Sequence, residues 1–175
     1  MNEISIICGT NRTDAISLGI TRAYQDALKD LGISAAIIDL ANLPSDFAFS
    51  ALYENEGKNN QFNAFREQMR KTDKFVFVVP EYNGSFPGVL KTFIDGLEYP
   101  YTFRSKKCAL VGVASGGQGS SLALSHLTDI LNHCGTHVLA YKPRLMKIDD
   151  HFENGKLHER YILQLKKQAE MLLTF

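Results

Sequence analysis

Phe75-Val76-Phe77-Val78-Val79, running straight into Pro80-Glu81-Tyr82-Asn83-Gly84-Ser85-Phe86-Pro87-Gly88, decides the fold class of this 175-residue chain. Five consecutive large apolar residues leave no polar face. The strand they form is therefore expected to be buried on both sides, as in the middle of a parallel sheet. Parallel neighbours need crossover connections, usually helices, and the flanking sequence supplies them. Upstream, Ile4-Ser5-Ile6-Ile7-Cys8 reads as a first strand ending at Gly9. Ile16, Ile20, Ala23, Tyr24, Ala27, Leu28 and Leu31 then recur at helical spacing, and Gly32 stands where a glycine ends such a helix. Ile33 to Asp39 reads as a second strand, Leu40 to Asn60 as loop, and Phe62, Phe65 and Met69 mark the next helix.

Downstream, Val89, Phe93, Ile94 and Leu97 predict a helix, and Cys108 to Val113 a fourth buried strand. The loop Ala114 to Ser120 leads into a helix from Ser121 to His133, closed by Gly135. A fifth strand from Thr136 to Tyr141, a loop from Pro143 to Gly155 and an amphipathic helix from Leu157 to Leu173 complete the pattern. Five strands alternate with five helices. Right-handed crossovers on both faces of one parallel sheet make this an α/β three-layer sandwich, expected as one domain over residues 1–175.

In such a sheet, ligands bind beyond the carboxyl ends of the strands. Three loops leave strand ends there with suitable chemistry. Gly9-Thr10-Asn11-Arg12-Thr13-Asp14-Ala15-Ile16-Ser17 turns tightly into a helix N-terminus, where backbone N–H groups and the helix dipole favour an anion. Thr10 and Ser17 can donate to phosphate oxygens, and Arg12 can grip a phosphate as a fork. The plainer alternative makes Thr10 or Ser17 a helix cap and Arg12 a solvated charge. In the second loop, two prolines and two glycines fix a non-helical path after the most buried strand. Pro80, Glu81, Tyr82, Asn83 and Gly84 would offer a flat surface and polar groups to a planar ring. The third, Ser115-Gly116-Gly117-Gln118-Gly119-Ser120, lets backbone approach a flat ligand closely.

With 19 basic and 19 acidic side chains the formal net charge is zero, which argues against a nucleic-acid or anionic-membrane footprint. No apolar run is long enough to cross a bilayer. The start, Met1-Asn2-Glu3, lacks a basic region followed by an apolar one, so a cytoplasmic location is expected. Cys8, Cys108 and Cys134 are far apart and read as structural thiols. His133 and His137 are separated by the helix-breaking Gly135, so no metal site is expected.

The second loop and its continuation, Pro80-Glu81-Tyr82-Asn83-Gly84-Ser85 then Pro87-Gly88-Val89-Leu90-Lys91 and Ile94-Asp95, resemble the NADPH-dependent FMN reductase family. That family includes quinone-, azo- and chromate-reducing flavoenzymes. The first loop is similar to its phosphate loop at Gly9, Thr10, Arg12 and Ser17, but Ala15 stands where a serine is usual. Gly116, Gly117 and Gly119 fit as well. The resemblance implies a flavodoxin-like fold with a five-stranded parallel sheet in the order 2-1-3-4-5, and bound FMN. It implies NADPH or NADH as co-substrate, a small-molecule electron acceptor, and a homodimer or homotetramer. Hydride would pass from nicotinamide to FMN and on to a quinone, free flavin, azo compound or metal oxyanion. Lys91 and Asp95 would be interface or helix-pair residues, and Glu81 would pair with a basic group, within the chain or across the subunit interface, Arg104 being one candidate. The competing expectations are a non-enzymatic flavin carrier or redox-sensing module, and a flavin-free nucleotide-binding domain.

Overall fold

A computed structural model describes residues 3–175; Met1 and Asn2, on which the reading of the chain start partly rests, lie outside the described residues. The strands β1 (Ile4–Cys8), β2 (Ala35–Asp39), β3 (Lys74–Pro80) and β4 (Lys107–Val113) are all parallel, with β1 between β2 and β3 and β4 beyond β3. Two short strands complete the sheet, β5 (His137–Val138) and β6 (Arg144–Leu145), both parallel to β4. The order is β2-β1-β3-β4-β5, that of a flavodoxin-like fold.

Side chains alternate across the strands and so divide between two cores. Phe75, Phe77 and Val79 of β3 face one side with Leu110 of β4, where they meet α3 (Asn60–Lys71), α4 (Gly88–Asp95) and α5 (Ser121–His133) through Phe62, Met69, Phe93, Leu124 and Leu127. Val76 and Val78 face the other side with Val111, against α1 (Ile16–Asp30) and α6 (Glu159–Thr174) through Ile20, Tyr24, Leu165 and Leu172. Every residue of β3 is buried, as the unbroken apolar run requires.

The fifth strand differs from the expectation of Thr136 to Tyr141. Only His137 and Val138 pair with the start of β4; the chain then leaves the sheet and returns at Arg144–Leu145 beside Gly112 and Val113. Two residues explain the break. Pro143 has no N–H to give the ladder. Gln168, fully buried on α6, inserts its amide instead, donating to Leu110 O at 2.9 Å and Tyr141 O at 2.7 Å. The carbonyl that a continuous strand would have satisfied is thus taken by a side chain from the last helix.

The stretch read as loop from Pro143 to Gly155 therefore holds β6, a 3-10 turn at Ile148–Asp150 and β7 (Phe152–Glu153), which pairs with β8 (Lys156–Leu157). Leu157 belongs to this hairpin, and α6 begins two residues later, where His158 Nδ1 accepts the Arg160 N–H at 3.2 Å. The loop Leu40 to Asn60 carries two 3-10 turns and the single-turn helix α2 (Phe47–Ser50), which stacks Phe47 on Phe62 at 5.5 Å.

At the opposite edge of the sheet, Lys74, only 6% exposed, donates from Nζ to the carbonyls of Leu172 and Leu173, each at 2.8 Å. Lys107 Nζ donates in the same way to the main-chain oxygen of Phe175. The amines occupy the negative end of the α6 dipole. Lys74→Met keeps the stem and removes both donors. It is expected to destabilise the protein by about 1–3 kcal/mol, read as a lowered urea midpoint with an unchanged slope.

Candidate functional site

All sheet strands run parallel, so the loops after β1, β3, β4 and β6 emerge at one edge. They enclose a cavity of about 150 Å³ whose walls include Thr10, Arg12, Ser17, Pro80, Glu81, Tyr82 and Ser115. Seven of the residues singled out in the sequence thus meet in one place.

The floor is the start of α1. Ala15 occupies the N-cap position with an extended backbone (φ −68°, ψ 132°), and no side chain caps the helix. Leu18 N–H is taken by Ala15 O at 2.9 Å, but the Ile16 and Ser17 N–H groups lack an intrahelical acceptor and have no side-chain oxygen over them. Neither Thr10 nor Ser17 is a cap. Ser17 is buried within the first turn, and Thr10 turns towards the second loop. Thr10 Oγ1 accepts the Arg12 N–H at 3.2 Å and lies 2.8 Å from the Tyr82 hydroxyl. With Tyr82 as donor there, the Thr10 proton is left for the cavity. Arg12 is exposed, and no carboxylate among the described residues lies within 4 Å of it. This combination of open helix N–H groups, two hydroxyls and an uncommitted guanidinium suits a phosphate. Gly9 fixes how closely the loop approaches β3: its N–H donates to Val78 O at 2.9 Å, and a Cβ would stand 2.8 Å from that oxygen.

The second loop makes a two-residue turn. Tyr82 and Ser85 exchange backbone hydrogen bonds at 2.7 and 3.0 Å around Asn83 and Gly84, both at positive φ (52° and 74°). This is the geometry for which Asn-Gly is preferred. Glu81 N donates to Val113 O at 3.1 Å, tying the loop to β4, and Ser85 Oγ lies 2.9 Å from His126 Nδ1 on α5. Asn83 and Gly84 sit at the tip, outside the enclosed cavity. Gly116, Gly117 and Gln118 are likewise exposed, whereas Gly119 is buried (φ 58°) with Arg144 Cβ and Met146 Cγ filling the place of a side chain. Lys91 and Asp95 form the expected pair at 2.7 and 2.8 Å. Within the chain Glu81 and Arg104 do not pair; Arg104 lies beside Gly135, at the far end of α5.

Two wall residues were not foreseen. Ile148 and Asp149 close the cavity from the turn after β6. Backbone bonds from Ala114 N to Leu145 O (3.0 Å), Lys147 N to Gly116 O (3.1 Å) and Ile148 N to Ala114 O (3.1 Å) hold this wall against the third loop. The sequence Met146-Lys147-Ile148-Asp149 has neither strand nor helix periodicity, so nothing in it announces the role.

The cysteines lie outside this chemistry. All three are buried and unpaired, and burial pushes Cys8 up to about 11, Cys108 up to about 12, and Cys134 upward. They are held as thiols near neutrality. Alkylation at mildly alkaline pH should modify none of them in the native protein and all three in concentrated guanidinium, as counted by intact mass.

A parallel sheet in this order with its loops gathered at the carboxyl edge defines a flavodoxin-like α/β protein. The chain belongs to the NADPH-dependent FMN reductase family, whose model matches residues 2–143. A 2-hydroxy-1,4-benzoquinone reductase from a Burkholderia species is 29% identical over 131 residues, 73% of this chain and 69% of that protein. An FMN-dependent NADPH-azoreductase of Staphylococcus aureus is 33% identical over 129 residues, 72% of this chain and 67% of that protein. Against other curated relatives the match spans as little as 61% of their length. Among solved structures, the flavoenzyme NAD(P)H:(acceptor) oxidoreductase FerB from Paracoccus denitrificans superposes with a TM-score of 0.79 at 18% identity, over 99% of this chain and 96% of that one. Among the described residues, no helix is long and apolar enough to cross a membrane.

Proposed function

We propose that this chain is an FMN-dependent NAD(P)H oxidoreductase that passes electrons to a small acceptor such as a quinone, an azo compound, free flavin or a metal oxyanion. It does so as one cytoplasmic FMN-binding domain assembled as a homodimer or homotetramer. The observation that carries this reading is the uncapped α1 N-terminus inside a cavity that also holds Thr10, Arg12 and Ser17. The enclosed volume, about 150 Å³, is below the roughly 300 Å³ at which drug-sized pockets begin. It suits a phosphorylated tail, and the two turns outside it, at Asn83-Gly84 and Gly116-Gly117-Gln118, would hold the ring.

Bound FMN supplies two-electron redox chemistry; the chain supplies position and charge. Arg12 and the Ile16 and Ser17 N–H groups of α1 would hold the phosphate, and the hydroxyls of Thr10 and Ser17 would donate to it. The Tyr82 hydroxyl fixes Thr10, so the first and second loops are set as one unit. Asn83 and the Gly84 N–H, presented at the tip of a rigid turn, address the polar edge of the ring. Gly116, Gly117 and Gln118 leave the backbone of the third loop open to its other edge. The names of relatives that reduce quinones and azo compounds support the choice of acceptors.

The test is direct. Protein reconstituted with FMN and passed through a desalting column should keep a flavin spectrum, bleach on anaerobic addition of NADPH or NADH, and turn over when a quinone is supplied. Colourless protein after reconstitution would refute the flavin site. A stable yellow protein that no nicotinamide bleaches would refute the enzyme and favour a carrier.

A further inference from the structure

We propose that Asp149 makes this site selective for a flavin ending in a single phosphate, disfavouring one that carries a second phosphate beyond it. The inference rests on the FMN reading above and concerns a wall that the family match does not reach. That match ends at residue 143, whereas Ile148 and Asp149 stand after β6.

The wall is fixed. Besides the backbone bonds to Ala114 and Gly116, the Tyr161 hydroxyl donates to Met146 O at 2.7 Å, and Arg160 Nη2 donates to the Tyr161 oxygen at 2.6 Å. Lys147 is held at φ 47°, a left-handed conformation unusual for a side-chain-bearing residue. From there the 3-10 turn closes through Asp150 N to Lys147 O at 3.0 Å. Asp149 therefore does not wander into the site; its backbone is part of the frame.

The division of labour follows from burial. Ile148 is 2% exposed and serves as wall, while Asp149 is exposed and stands at the rim. The other exposed lining residues are Arg12, Tyr82 and Ser115. Tyr82 and Ser115 belong to the turns assigned to the ring. Arg12 and Asp149 are the exposed charged groups at the rim, with the half-buried Glu81 as the third charged lining residue, and no cation among the described residues lies within 4 Å of the Asp149 carboxylate. A phosphate monoester carries nearly two negative charges at neutrality, and Arg12 and the α1 N-terminus answer them. The cavity is small, about 150 Å³, and Arg12 and the α1 N-terminus serve the first phosphate, so a second phosphate beyond it would lie towards the rim. There Arg12 is already engaged, and the remaining charged lining groups are both carboxylates, the half-buried Glu81 and, outermost, the exposed Asp149. Like charges that close disfavour one another, most strongly where water is partly excluded.

The test compares three ligands that share one ring: riboflavin, FMN and FAD. Dissociation constants are measured by flavin fluorescence quenching for the wild type, Asp149→Asn and Asp149→Lys. The wild type should bind FMN at least about 10-fold more tightly than FAD. Asp149→Asn should narrow that gap about 5-fold or more, Asp149→Lys further, and riboflavin should change less than about 2-fold in either, the pattern expected of a charge at the rim. A gap unchanged in both variants would overturn the proposal, as would an equal shift for all three ligands. Wild-type protein that binds none of the three would instead overturn the flavin reading on which it rests.

Discussion

Gly112→Ala is expected to lower stability by about 2–5 kcal/mol, an effect larger than that of any surface substitution. Gly112 lies on β4 next to the broken fifth strand. A Cβ added there would stand 2.4 Å from the Gly119 carbonyl oxygen and 2.9 Å from both Ser120 Cβ and Leu124 Cδ1. Backbone on one side and a buried helix on the other leave no flexible group to give way. The 119–120 turn must move, and with it goes the bond from Ser120 Oγ to Val79 O at 3.1 Å, made by a residue held at φ 65° and fully buried. Overpacking costs about 1–3 kcal/mol and the stranded polar pair about as much again. For a chain of this size the melting temperature should fall by roughly 5–15 °C. Gly116→Ala is the matched control: nothing lies within 4 Å of its Cβ and its φ is not positive, so a change beyond about 0.5 kcal/mol there would show that glycine content, not this clash, is at work.

The same pair of glycines shows what the sequence could and could not convey. That β4 is a buried parallel strand was legible in Cys108-Ala109-Leu110-Val111-Gly112-Val113, because burial on both faces writes itself into consecutive residues. The glycine-rich turn after it was legible as a turn. Which of its glycines is irreplaceable was not, since that depends on what packs beside each: Gly119 meets Arg144 and Met146, while Gly116 and Gly117 meet nothing. Local pattern reports an element; it does not report its neighbours.

The misplaced fifth strand has the same cause. Thr136 to Tyr141 has strand character throughout, yet pairing stops at Val138 because the Gln168 amide, on a helix later in the chain, takes the Leu110 carbonyl. No window around residue 140 contains that information. The displaced strand resumes at Arg144 and carries Ile148 and Asp149 to the carboxyl edge, so the overlooked wall of the cavity follows directly from the overlooked break in the sheet. That the three loops lie at one edge of the sheet was legible for the converse reason. Each is chemically distinctive over a few adjacent residues, and the parallel topology alone brings them together.

Arg12→Ala should raise the FMN dissociation constant about 10-fold or more while leaving the melting temperature of ligand-free protein nearly unchanged. Both halves follow from the same geometry. Arg12 is exposed and makes no ion pair among the described residues, so its removal costs the folded chain little. Its backbone N–H, which donates to Thr10 Oγ1, survives the substitution, so the loop keeps its shape. What is lost is a charge-assisted bond to phosphate, worth about 1.5–3 kcal/mol, and 1.4 kcal/mol is a factor of ten. Because Ala15 gives α1 no capping oxygen and adds no hydroxyl of its own, fewer side chains share the phosphate, and the dependence on Arg12 should be correspondingly steep. Riboflavin separates the contributions: lacking the phosphate, it should bind the wild type and Arg12→Ala within about 2-fold of each other, a difference under 0.5 kcal/mol. Measured by fluorescence titration, equal FMN affinity in the two proteins would remove Arg12 from the phosphate site. A matched loss for riboflavin would instead show that the substitution had disturbed the turn carrying Tyr82, through the Thr10 hydroxyl that joins the two loops.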